Sequence, residues 1–205
     1  MWLAAVEAMA AVHRFDWRSS PLAARFGNPT SGSAAITGQI AQIESWLAQA
    51  ATLGPFPVIE HGLEWLRNNP PDYSELSLLW GDARPGNLIY RGTTVAAVLD
   101  WEMAGIGPAE FDLFYFLLAD EVVAELNAVP RLAGLPSREA TIAAWERCVG
   151  RHAENIRHAE IFVATRFAAL MALVVRLTPS GLDDPRALLT DNIPTKRLAA
   201  LLARD

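Results

Sequence analysis

The sequence predicts a mainly helical fold with a small β-hairpin inserted near its middle, an α+β organisation. Apolar residues recur at helical spacing over most of the 205 residues, and two short β-type runs flank a turn at 91–93. The composition is that of a folded chain, since 52% of the residues are hydrophobic and 20% are charged. We therefore expect a single domain over residues 1–205.

The helices before the hairpin are predicted from apolar periodicity and from breaker residues. The turn-rich stretch 17–33 predicts a loop, and the double proline at 70–71 ends the last of these helices. The predicted helices cover residues 2–14, 34–51 and 59–68.

The helices after the hairpin begin with one that follows Pro108. Proline suits the first turn of a helix, and Glu110 suits its positive end. This helix is predicted to run to about residue 126, and three more are predicted near 137–154, 156–177 and 194–203.

The hairpin joins two polar side chains that are thirteen residues apart. Asn87 precedes the first predicted strand, 88–90, and Asp100 follows the second, 95–99, so pairing of the strands brings the two together. Amide and carboxylate oxygens are ligands that Mg²⁺ prefers, and Mg²⁺ takes only one or two of them beside substrate phosphates. Asp82, five residues before Asn87, is placed to accept a proton from a hydroxyl.

Turn formation alone would explain Asp82 and Asn87 taken singly, since both residue types are common in turns. The register with Asp100 and Asp112 favours a site instead. A base, an amide and a metal-binding carboxylate in this order are the parts used in phosphoryl transfer.

Three separated motifs resemble the aminoglycoside phosphotransferase/choline kinase-like family, an offshoot of the protein-kinase fold. They are Gly81-Asp82-Ala83-Arg84-Pro85-Gly86-Asn87, then Val98-Leu99-Asp100-Trp101-Glu102, then Gly107-Pro108 with Phe111-Asp112-Leu113. The resemblance implies ATP-dependent, Mg²⁺-assisted transfer of a phosphoryl group to a small-molecule hydroxyl. It also implies a catalytic segment at 76–115 and a helical substrate region at 17–50 and 120–205.

The resemblance assigns a role to each polar residue of these motifs. Asp82 is the implied catalytic base, and Arg84 the implied partner of the γ-phosphate. Asn87 and Asp100 are the implied ligands of magnesium and, through it, of the nucleotide. Asp112 is implied to support the loop by accepting backbone N–H bonds.

Two positions need separate comment. Trp80 stands where the family has a histidine before Gly-Asp, and we expect it to pack beneath the loop as structural support. Glu102 has two interpretations, a contact to a cationic substrate or a surface charge.

The chain resembles a protein-kinase-like C-terminal lobe that lacks the N-terminal nucleotide lobe. Only 81 residues precede Asp82, they contain no lysine, and Lys196 is the only lysine among the 17 basic residues. Because positioning and electrostatic contacts drive phosphoryl transfer, we expect weak or no activity from this chain alone. The alternative is a non-catalytic, pseudokinase-like binding or regulatory module; a metal-dependent hydrolase is the weaker third choice.

Net charge and cysteine content limit the binding partners and the cellular location that we expect for this protein. The net charge of −6 argues against nucleic acid, and no stretch suits a membrane span. Cys148 is the only cysteine, which fits a reducing, cytoplasmic location. A chain without its second lobe exposes an apolar patch, so we expect either a second copy of the chain or a partner that supplies the missing lobe. The four histidines show no metal-ligand spacing and are expected to be structural or on the surface.

Overall fold

A computed structural model describes residues 1–178 and 187–204 of the chain. Its contacts divide the chain into two compact units, each made of two separated segments. The first unit comprises Met1–Ala35 and Asp72–Ile156, and the second comprises Ile36–Pro71 and Arg157–Asp205. The single domain predicted over 1–205 stays a prediction, and residues 179–186 and 205 of the predicted substrate region lie outside the described residues.

The helices of the first unit are α1 (Trp2–His13), α2 (Leu22–Arg25), α5 (Glu110–Leu126) and α6 (Arg138–Val149). Helix α6 has the clearest end signals. The side chain of Ser137 accepts a hydrogen bond from the backbone N–H of Ala140, and Gly150 ends the helix in the left-handed conformation. Helix α1 packs against α6, and its buried residues lie on the side of Val6 and Met9.

The strands of the first unit form two antiparallel pairs. Strand β2 (Leu88–Arg91) pairs with β3 (Thr94–Val98) in the predicted hairpin, with Leu88 opposite Val98. Strand β1 (Ser77–Leu79) pairs with β4 (Gly105–Gly107), with Leu78 opposite Ile106. The second pair holds the start of the polar loop against the residues that follow Asp100.

A buried apolar cluster fixes β1 in the first unit. Trp17 is 2% exposed, and its indole N–H donates to the backbone carbonyl of Leu76 at 3.0 Å. The buried members of the cluster are Trp17, Ala35, Leu76, Leu78 and Ile106. Strand β1 is therefore anchored on the inner side of the unit, and the chain leaves it directly toward Asp82.

The helices of the second unit are α3 (Gly32–Gln49, of which the first four residues belong to the first unit), α4 (Pro57–Asn68), α7 (Ile156–Leu177, of which the first residue belongs to the first unit), α8 (Ala187–Thr190) and α9 (Ile193–Leu202). Pro57 opens α4, and a capping box between Asn192 and Thr195 opens α9. Helix α4 packs against α9, and Gly62 permits a close approach, since a Cβ there would lie 2.5 Å from the hydroxyl oxygen of Thr165.

The predicted helices and hairpin are present, with ends that differ by a few residues. The fold is thus mostly helical with small antiparallel sheets, as predicted. Several elements were not predicted. Helix α2 lies inside the segment 17–33 expected to be a loop, α8 precedes the last predicted helix, and the β1–β4 pair uses a segment in which Ile106 stands between two glycines. Among the described residues, none of the helices combines the length and the apolar character needed to cross a membrane.

Candidate active site

The polar loop begins at Trp80, which lies at the end of β1. Trp80 is fully buried, and its indole N–H donates to the backbone carbonyl of Leu99 at 2.6 Å. The side chain therefore packs under the loop and ties it to the end of β3, one residue before Asp100.

Gly81 allows the backbone after Asp100 to approach the loop closely. It adopts φ +91°, and a Cβ at this position would lie 2.0 Å from the carbonyl oxygen of Met103. Only glycine fits both conditions without a shift of the backbone. The segment Asp100–Met103 is consequently held against the residue that precedes Asp82.

Asp82 is buried and holds two hydrogen bonds on one carboxylate oxygen. Its exposure is 8%, and Oδ2 accepts from Nδ2 of Asn87 at 2.6 Å and from Nε of Arg84 at 2.9 Å. Among the described residues, none donates to Oδ1. One oxygen is thus fixed by the protein, while the other is available to a hydroxyl group.

Arg84 is influenced by both acidic residues of the site. The hydrogen bond to Asp82 raises the pKa of Arg84 above its ordinary value, against the opposing effect of partial burial. The negative charges of the Asp82 and Asp100 carboxylates act in the same direction, so the guanidinium is fully charged.

Asn87 presents its amide oxygen away from Asp82. Its Nδ2 donates to both the carboxylate and the backbone carbonyl of Asp82, and only an amide nitrogen can serve two acceptors in this way. The backbone carbonyl of Asn87 accepts from the N–H of Leu99 at 2.9 Å, which extends the β2–β3 ladder to the residue before Asp100.

Asp100 itself adopts φ +62° and is exposed. An amide oxygen and a carboxylate brought together at the open end of a hairpin are a donor set suited to Mg²⁺. The described residues contain no group of three or more His, Cys, Asp or Glu side chains that could hold a metal ion.

Asp112 supports the loop from α5. Its two carboxylate oxygens accept from the backbone N–H groups of Trp80, at 2.6 Å, and of Gly81, at 2.9 Å. The ring of His13, at the end of α1, lies 3.1 Å from the same carboxylate. The carboxylate is fully buried and is satisfied by three donors.

The structure brings together most of the residues singled out in the sequence. Asp82, Arg84 and Asn87 form one hydrogen-bonded cluster, and Asp100 follows the residue paired with Asn87. Glu102 is exposed. The assigned roles of all these residues stay predictions.

One residue that supports the site was not predicted from the sequence, His13, which the sequence analysis treats as structural or on the surface. Spacing could not identify it, because it is 99 residues from Asp112.

Apolar side chains of the hairpin are exposed next to the polar cluster. Leu99 and Trp101, which flank Asp100, are 44% and 41% exposed. Trp101 also lines a groove of about 840 Å³, together with apolar residues of α1 and β3. Such a surface is suited to the apolar part of a ligand.

Solved structures share this fold. A protein from Ralstonia eutropha JMP134 described as an aminoglycoside phosphotransferase superposes with a TM-score of 0.76 at 20% identity, over 99% of this chain and 64% of its own length. A choline/ethanolamine kinase family protein from Mesorhizobium loti superposes with a TM-score of 0.53 at 15% identity, over 98% of this chain and 61% of its own. The chain therefore shares the fold of these two proteins.

The sequence matches define the family. Residues 1–154 match the APH model, described as the phosphotransferase enzyme family, and the chain belongs to this family. Relatives named acyl-CoA dehydrogenase family member 11 are 34% identical over 119 residues in Homo sapiens and 34% identical over 159 residues in Gallus gallus. These alignments cover 53% and 71% of this chain, which spans only 15% and 20% of the length of those relatives.

Proposed function

We propose that the site transfers the γ-phosphoryl group of ATP, assisted by Mg²⁺, to a hydroxyl of a small molecule. The observation that supports this most directly is the buried Asp82 carboxylate, fixed through Oδ2 by Asn87 and Arg84. Membership of the phosphotransferase family supports the same reaction class.

Asp82 acts as the catalytic base in this proposal. Oδ1 accepts the hydrogen bond of the acceptor hydroxyl and orients its oxygen toward the γ-phosphorus. The hydroxyl oxygen forms a bond to phosphorus, the bond from phosphorus to the β–γ bridging oxygen breaks, and ADP leaves. The hydroxyl proton passes to Asp82. Arg84, held beside it, adds positive charge where the transferred phosphoryl group carries negative charge.

Asn87 and Asp100 would hold the magnesium ion. The amide oxygen of Asn87 faces away from Asp82, because the nitrogen is committed to that residue. Bound Mg²⁺ neutralises phosphate charge, as in other phosphoryl-transfer sites.

Lysine content limits the expected rate. Lys196 is the only lysine of the chain, and it lies in α9 of the second unit, 2.9 Å from Asp191. No lysine of the first unit can hold the α- and β-phosphates, so we propose weak turnover for this chain alone. The same observation favours the second candidate, a pseudokinase-like module that binds nucleotide without transferring phosphate.

Phosphate transfer from radiolabelled ATP to a panel of aminoglycosides, amino alcohols and sugars, with Mg²⁺, tests the reaction. Asp82→Asn should reduce any transfer by about 100-fold or more, whereas the matched control Asp16→Asn, an exposed position, should not change it. Thermal unfolding with Mg-ATP tests binding, because a ligand of the folded state raises Tm. If no transfer is detected but Mg-ATP raises Tm and Asn87→Ala removes this rise, the binding module is supported. If Mg-ATP gives no transfer and no rise in Tm, both candidates are refuted.

A further inference from the structure

A chain of buried side chains leads from α6 to the polar loop. Trp145 in α6 is fully buried, and its indole N–H donates to Nδ1 of His13 at 2.9 Å. The opposite nitrogen of His13, Nε2, lies 3.1 Å from Oδ2 of Asp112. The side chains of His13 and Asp112 are 1% and 0% exposed, so water does not compete for these contacts.

The indole fixes the tautomer of His13. An indole nitrogen is only a donor, so Nδ1 must accept and carries no proton. The proton of the neutral ring therefore lies on Nε2, where it is donated to Asp112.

The carboxylate of Asp112 is in turn held in one orientation. Oδ2 accepts from His13 and from the backbone N–H of Trp80, and Oδ1 accepts from that of Gly81. The two backbone groups belong to the residues immediately before Asp82. Rotation of the carboxylate would break all three bonds at once.

We propose that Trp145 and His13 are positioning residues for the polar loop. Trp145 selects the tautomer, His13 orients the carboxylate of Asp112, and Asp112 sets the backbone that carries Asp82. The role of Asp82 in this statement rests on the proposed function, but the ordering of the loop is measurable without it.

The helix pair α1–α6 offers a matched control. At its other end, the indole N–H of Trp2 donates to the hydroxyl of Thr141 at 3.0 Å, also in a buried setting. Thr141→Val removes this bond between the same two helices without contact to the loop. It also removes the bond from the Thr141 hydroxyl to the backbone carbonyl of Ser137 at 2.9 Å, so it reports what hydrogen bonds lost away from the loop do to stability.

Amide hydrogen exchange at Trp80 and Gly81 tests the proposal, after correction for each variant's global free energy of unfolding. His13→Leu removes the donor to Asp112 and should accelerate both amides by at least tenfold. Trp145→Phe should accelerate the exchange of both amides about threefold to tenfold, because the imidazole of His13 keeps its contact to Asp112 but its tautomer is no longer fixed. His13→Gln, whose amide can donate in place of Nε2, should restore protection, and Thr141→Val should leave it unchanged.

Unchanged exchange in His13→Leu and Trp145→Phe, or failure of His13→Gln to restore it, would overturn the proposal. Nitrogen-15 spectra of the wild-type imidazole give a test that needs no variant: a protonated Nδ1 contradicts the fixed tautomer. Where phosphate transfer is measurable, kcat should fall in His13→Leu while KM for Mg-ATP stays constant. A wild-type protein without transfer would refute the proposed function but leave the exchange comparison decisive for positioning.

Discussion

Gly81→Ala tests how tightly the polar loop is fitted against the segment after Asp100. The residue adopts φ +91°, and the added Cβ would lie 2.0 Å from the carbonyl oxygen of Met103, where real contacts stay above 3.0 Å. The two backbones must therefore separate by at least about 1 Å, from 2.0 to 3.0 Å.

The cost has two parts. A left-handed backbone costs alanine about 1–2 kcal/mol, and weakening the charged hydrogen bond from the Gly81 N–H to Asp112 costs about 1.5–3 kcal/mol more. Together they predict a loss of about 2.5–5 kcal/mol in the free energy of unfolding, a large share of a typical domain's stability.

Urea denaturation measures this loss, with Gly92→Ala as the matched control. Gly92 lies in the hairpin turn with φ +62°, and a Cβ there would meet nothing within 4 Å. It should lose only the backbone part, about 1–2 kcal/mol. If the losses in the free energy of unfolding of the two variants differ by less than about 0.5 kcal/mol, the close approach of Met103 does not destabilise Gly81→Ala and the prediction is refuted.

Three further predictions concern burial in the two units. Gly62→Ala brings a methyl group within 2.5 Å of the Thr165 hydroxyl and should lower the free energy of unfolding by about 1–3 kcal/mol in urea titrations. Arg151→Met leaves the fully buried carboxylate of Glu110 without its two-bond partner and should cost about 3–5 kcal/mol by the same measurement. Burial lowers the pKa of His158 from 6.5 to about 4, so the unfolded chain takes up a proton first as the pH falls. The stability present above pH 6.5 should decrease by about 2 kcal/mol at pH 5, and His158→Gln should lack this part of the pH dependence in urea titrations from pH 7 to pH 4.

The helices could be predicted because their signal is local. Apolar periodicity predicts a helix over 156–177, and α7 occupies Ile156–Leu177. The β1–β4 pair could not be predicted in the same way. Each strand has three residues, the second consists of Gly105, Ile106 and Gly107, and their pairing depends on packing of Ile106 beside Trp17 and Leu78.

The candidate site also has parts that follow from local sequence signals and parts that depend on tertiary contacts. The positions of Asp82, Asn87 and Asp100 follow from one turn and one hairpin, so spacing was sufficient to group them. The resemblance implied that Asp112 accepts backbone N–H bonds beneath them, and Asp112 accepts those of Trp80 and Gly81. The contact of His13 with Asp112 was not predictable from spacing, because the two residues meet only through tertiary packing of different elements.

This support explains how a two-stranded hairpin can hold a carboxylate in place. A hairpin of four and five residues is marginally stable by itself. Trp80 stabilises the end of the hairpin: its indole N–H donates to the carbonyl of Leu99, and its backbone N–H donates to the carboxylate of Asp112. One residue thus connects the loop carrying Asp82, the segment that follows β3 and helix α5. Trp80 therefore orders the site through its two N–H groups.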